Sequence, residues 1–100
     1  FLLETHENLA QLDLDLVTLE KDPGEKETLA RAFRTLHTVK GTAGFLGLPK
    51  LEGVAHAAET LLSRLRAGEL LFDRPIATAL LGTVDAVRRI LAELEATQSE

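Results

Sequence analysis

The sequence holds 100 residues, with 16 Asp and Glu against 11 Lys and Arg, for a formal charge of −5. That length suits a single core, and the acidic balance argues against a general nucleic-acid binder. With no cysteine in the chain, a disulfide framework, a thiolate metal site and a Cys nucleophile are all excluded. No apolar run approaches the ~20 residues needed to insert across a membrane, and no leader-like segment opens the sequence. The chain has no methionine and starts at Phe1, so it reads as a piece of a longer protein. Leu occurs 21 times and Ala 13, against five Val and two Ile. Leu and Ala lose little in a helix, whereas β-branched residues lose more, so the composition predicts an all-α fold.

The first segment, roughly 3–20, places Leu9, Leu12, Leu16 and Leu19 at spacings of three and four, the stripe of a bundle helix. Asp22-Pro23-Gly24-Glu25 then reads as a break and a restart, with Asp22 expected to cap the next helix. The second segment, roughly 25–44, carries Leu29, Ala32, Phe33, Leu36, Val39 and Ala43 on one face. It ends in the glycine-punctuated run Gly44-Phe45-Leu46-Gly47-Leu48-Pro49, in which Pro49 suits the first turn of a third helix. That helix, roughly 49–67, carries Leu51, Val54, Ala55, Ala58, Leu61, Leu62 and Leu65, with Gly68 as its stop. Asp73 and Pro75 open a fourth, roughly 74–96, striped by Ile76, Leu80, Val84, Val87, Leu91 and Leu94, and the polar tail from Ala96 is expected to fray. Short connections favour antiparallel neighbours, giving an up-down four-helix bundle over residues 1–100.

Charge is unevenly distributed. Residues 1–30 hold eight acids and two bases, whereas residues 31–50 hold Arg31, Arg34, Lys40 and Lys50 and no acid. Such a window is either a solvated face balanced by the acidic first helix or a local field for an anion. His37 lies within it, roughly 110° from the centre of the second helix's apolar stripe on a 100° wheel, and so at the edge of the core or exposed. Lys40, Gly41 and Gly44 follow on the same side. Glycine in a helix interior costs about 1 kcal/mol relative to alanine, and here it strips side chains from the surface beside His37, which lets a partner backbone or a phosphoryl group approach.

His56 and Glu59, three apart on the third helix, share a face that an antiparallel neighbour brings toward His37. Three readings arise: ordinary surface residues, a metal site, and a histidine that carries a phosphoryl group. The metal reading is weakened by the Lys40 cation and by His-x-x-Glu order, the reverse of the di-iron pattern. The phosphoryl reading accounts for all four residues. A carboxylate, Glu59, accepting from Nδ1–H leaves Nε2 unprotonated and nucleophilic. Lys40 and His56 then offer donors to the oxygens of the attached group.

The run His37-Thr38-Val39-Lys40-Gly41-Thr42-Ala43-Gly44-Phe45-Leu46-Gly47-Leu48 resembles the His-x-x-Lys-Gly motif of histidine phosphotransfer (HPt) domains. It is most similar to the N-terminal phosphotransfer domain of CheA-type chemotaxis histidine kinases, in which a His-x-x-Glu pair stands on the third helix. His56-Ala57-Ala58-Glu59 lies 19 and 22 residues after His37, and Leu61-Leu62-Ser63-Arg64-Leu65-Arg66-Ala67-Gly68-Glu69-Leu70 matches the usual continuation. Thr38 and Thr42 depart from the commoner Ser and Gly, and the fifth helix common in that branch is absent or truncated here.

The resemblance implies a cytoplasmic phosphocarrier, not itself an enzyme, excised from a CheA-like kinase. His37 would accept a phosphoryl group from an ATP-binding kinase domain and donate it to an aspartate of a response-regulator receiver. Glu59 would orient the imidazole, Lys40 and His56 would support the phosphoryl group, and Arg34, Gly41 and Gly44 would form the docking surface. Cofactors and metal are expected to be none within the domain, with ATP and Mg²⁺ brought by the partners. The alternatives are a helical interaction module without chemistry and a metal-binding bundle. Chemotaxis, pilus-driven motility and a hybrid-kinase relay all fit the parent.

Overall fold

The computed structural model describes residues 1–100, which form four helices: α1 (Leu2–Lys21), α2 (Lys26–Phe45), α3 (Pro49–Arg66) and α4 (Arg74–Thr97). Each helix packs on its chain neighbours, and α4 returns to α1, so the four form a closed ring with α2–α3 as its most extensive interface. The body measures 39 × 21 × 19 Å, its long axis close to the ~36 Å length of a 24-residue helix. The expected all-α bundle is the observed one.

The apolar stripes meet along the axis. Leu9, Leu12, Leu16 and Leu19 from α1 pack with Leu36 and Val39 from α2, Leu51 and Leu62 from α3, and Leu80, Val87 and Leu91 from α4. Polar contacts tie the seams: an Arg88–Asp13 ion pair at 2.6 Å and a His6–Glu95 hydrogen bond at 2.8 Å join α1 to α4. Arg31 joins Asp15 at 2.7 Å between α2 and α1.

The turns follow local chemistry, with two departures from expectation. Gly47 and Gly68 take positive φ, 72° and 78°, and end α2 and α3. Leu48 N–H donates to the Ala43 carbonyl and Gly47 N–H to that of Gly44, and Glu69 and Gly68 repeat the pattern onto Arg64 and Leu65. These are the paired bonds of a Schellman motif, which needs a left-handed residue and so favours glycine. Asp73 caps α4 by accepting from Ile76 N–H at 3.1 Å, as expected.

Asp22, however, does not cap α2. It ends α1, and the Glu25 carboxylate accepts from Thr28 N–H instead. The Pro23-Gly24 turn separates Asp22 from the helix, so the acid next to the first turn takes the role. Nor does the tail simply fray. α4 continues to Thr97, and the Glu100 side chain accepts from Lys50 N–H at 3.0 Å and Leu51 N–H at 2.7 Å. A carboxylate thus covers the N-terminus of α3, whose own cap residue, Leu48, has no side chain able to do so.

Candidate functional site

The α2–α3 interface is dry along Leu36, Val39, Ala55, Ala58 and Leu62, and polar at its outer edge. At that edge His37 Nδ1 lies 2.7 Å from Glu59 Oε2, and Lys40 Nζ donates to Glu59 Oε1 at 2.8 Å. One carboxylate on α3 therefore holds two side chains of α2, three residues apart and on one face. Glu59 is itself buried, whereas the His37 side chain is 63% exposed.

The electrostatics follow from this geometry. Burial pushes the Glu59 carboxyl up, but the hydrogen bonds from Lys40 and His37, with the Lys40 charge behind them, outweigh it and hold the group below the usual carboxylate range. An ionised carboxylate can only accept, so the proton between Glu59 and His37 belongs to Nδ1. In the neutral imidazole Nε2 then carries the free lone pair. It has no bonding partner within the chain, and the side chain that carries it is exposed.

Other expected site residues fall differently. His56 is exposed on α3, one turn before Glu59, and bonds to none of the three. No group of three or more His, Asp or Glu side chains comes together to hold a metal ion. Gly41 is exposed, and a Cβ there would meet nothing within 4 Å, which leaves bare backbone one turn beyond His37. Gly44 is exposed too, but the Glu52 carboxylate lies over it, and a Cβ there would come 2.7 Å from Oε2.

Half of the basic window is neutralised within the molecule. Arg31 pairs with Asp15 and Lys40 with Glu59, whereas the exposed Arg34 has no acidic partner and Lys50 Nζ reaches only the backbone carbonyl of Glu100, at 3.5 Å.

Phe33 was expected in the core and is only half-buried. Its ring stacks on His37, with centroids 6.0 Å apart and planes within 10°. The signal in the sequence was its position four residues before His37, which puts both rings on one helix face.

The fold is a closed four-helix bundle that carries, at the edge of α2, an exposed histidine bonded at one ring nitrogen to a buried carboxylate of α3. The Hpt domain family model matches residues 1–98, and the chain belongs to that family, the phosphocarrier domains of two-component signalling.

The chain is 38% identical over 100 residues to the sensor histidine kinase CheAY of Helicobacter pylori, covering all of this chain and 12% of that protein. It is 35% identical over 97 residues to the chemotaxis protein CheA of Halobacterium salinarum, covering 97% of this chain and 14% of that one. It thus spans about an eighth of the length of these relatives. Among solved structures, the CheA phosphotransferase domain from Thermotoga maritima superposes with a TM-score of 0.91 at 33% identity, covering 94% of this chain and 90% of that one. The solution structure of a histidine phosphotransfer domain of CheA gives 0.93 at 32% identity, covering 99% and 74%.

Proposed function

We propose that His37 is the phospho-acceptor and donor of this domain, acting within a CheA-type chemotaxis kinase system. The observation that carries the proposal is the 2.7 Å bond from His37 Nδ1 to Glu59 on an exposed ring whose Nε2 is unpartnered. The Nε2 lone pair attacks the γ-phosphorus of ATP bound to a partner kinase domain. The N–P bond forms, the bond to the leaving oxygen breaks, and ADP departs. The proton on Nδ1 stays where Glu59 holds it, so no base has to remove it during attack. In the second step a receiver aspartate oxygen attacks the same phosphorus, and the electron pair of the N–P bond returns to Nε2.

Lys40, one turn from His37 and already beside Glu59, supplies positive charge to the phosphoryl oxygens, and His56 supplies a further donor from α3. Arg34, Gly41 and Gly44 flank the ring on α2 and form the surface on which both partners dock. We read ATP and Mg²⁺ as coming with the kinase and receiver domains, and the reaction as cytoplasmic. Incubation with ATP and a CheA-type kinase domain is expected to give one acid-labile, base-stable phosphate, and His37→Gln is expected to take none. Labelling of that variant at the normal rate overturns the assignment.

A further inference from the structure

The bond to Glu59 fixes His37 at one atom only. A ring held at Nδ1 still tilts about that point, and the direction of Nε2, on the far side of the ring, swings with the tilt. A second constraint is therefore needed to aim the nucleophile. It stands one turn earlier on α2, where Phe33 lies parallel to the imidazole within 10° at 6.0 Å between centroids, the offset stacking that aromatic rings prefer.

Phe33 is in turn held from the neighbouring helix. The Arg66 guanidinium lies 4.8 Å from the centre of the Phe33 ring, a cation–π contact from the last turn of α3. Arg66 follows Glu59 by seven residues, so the two share a face of α3, just as Phe33 and His37 share a face of α2. Because the helices run antiparallel, one face of α3 delivers Glu59 to the imidazole and Arg66 to the phenyl ring that supports it.

We propose that Phe33 is a positioning residue that sets the plane of the His37 imidazole and so the direction of Nε2, and that Arg66 holds Phe33 in place. The inference rests on the reading that His37 carries the phosphoryl group. Phe33 touches no reacting atom; it acts through His37. A purely structural Phe33 would serve the fold equally well as any apolar side chain of similar volume, and this separates the two roles.

The test uses the domain with phosphoramidate, a small donor that needs no docking surface. The lone pair of His37 Nε2 attacks its phosphorus, the donor's P–N bond breaks, and ammonia leaves after taking a proton from water. Alongside, ¹⁵N NMR of the imidazole reads the fraction of the Nδ1–H tautomer, which needs no phosphoryl transfer. Phe33→Leu is expected to lower both the labelling rate, by about two- to tenfold, and the Nδ1–H fraction, with helicity kept. Phe33→Tyr, which retains a flat ring, is expected to restore both. Arg66→Gln, which leaves both rings in place and keeps the inference testable if Phe33→Leu unfolds, is expected to give a smaller loss in the same direction.

Wild-type tautomer and rate in Phe33→Leu, or in Arg66→Gln should Phe33→Leu not fold, overturn the inference, as does a Phe33→Tyr variant as impaired as Phe33→Leu. A wild-type domain that takes no label overturns the assignment of His37 instead, and the tautomer comparison still decides the role of Phe33.

Discussion

His37 and Glu59, 22 residues apart in sequence, are joined by a 2.7 Å bond that fixes the protonated nitrogen of the ring and spares the other. Glu59→Ala removes the anchor while leaving the nucleophile. Phosphorylation by a kinase domain is expected to slow by roughly 10- to 100-fold, the factor that a charge-assisted hydrogen bond of ~1.5–3 kcal/mol represents. Initial labelling rates check it, with circular dichroism confirming the fold, and a wild-type rate would show that the tautomer is set elsewhere.

Acid should remove the same interaction. Glu59 is held below its ordinary range in the folded domain, so its contribution to stability is complete above the unfolded value of about 4.3 and is lost as pH falls through the lower folded value. Urea denaturation of the wild type and Glu59→Gln is expected to show the larger stability difference at pH 7 and a narrower one at pH 3. A difference that does not change with pH would assign the stabilisation to packing rather than charge.

Asp15 and Arg31 invite a different measurement. Asp15 is 1% exposed, Arg31 donates to its Oδ1 twice, and its Oδ2 has no partner. Losing Arg31 leaves a buried carboxylate with only the neutral Gln11 amide donating to it, at 3.0 Å, whereas losing both charges does not. Arg31→Leu is therefore expected to destabilise by about 2–3 kcal/mol, less than for a fully buried pair because Arg31 is partly solvated. The double variant Asp15→Leu/Arg31→Leu is expected to be more stable than Arg31→Leu alone. Chemical denaturation of the two variants decides it.

Gly41 separates folding from docking. It lies inside α2 with open space where a side chain would go. Gly41→Leu is expected to raise stability by roughly 0.5–1 kcal/mol through helix propensity, yet to weaken receiver binding at least about tenfold by obstructing the surface beside His37. Titration calorimetry with a receiver, set against a thermal melt, reads both. Unchanged binding would move the docking surface elsewhere.

The helices were legible because each carries an apolar stripe ended by Pro, Gly or Asp, and the His37–Glu59 pairing because one short antiparallel turn brings two helix midpoints together. Less legible were interactions that depend on where a side chain reaches. Phe33 lies at the margin of the apolar stripe, and periodicity alone does not tell a core ring from one stacked on its neighbour. Asp15 stood on the stripe between Leu12 and Leu19, a visible irregularity whose partner lies on another helix. The neutralisation of Arg31 involves an acid from α1, and the Lys50 ammonium meets the backbone carbonyl of the chain's last residue, contacts that local sequence does not encode. His56 was grouped with Glu59 by spacing, yet only Glu59 turns inward.

The exposure of His37 on a ridge shared by α2 and α3 bears on traffic through the domain. On the proposed assignment of His37, a single nitrogen serves both the incoming and the outgoing transfer, and the same stretch of α2 lies beside it in each. Kinase and receiver must therefore take turns, each excluding the other while bound. A receiver in excess then becomes a competitive inhibitor of the labelling on which its own supply depends, and the relative abundance of the partners limits throughput as much as the chemistry does.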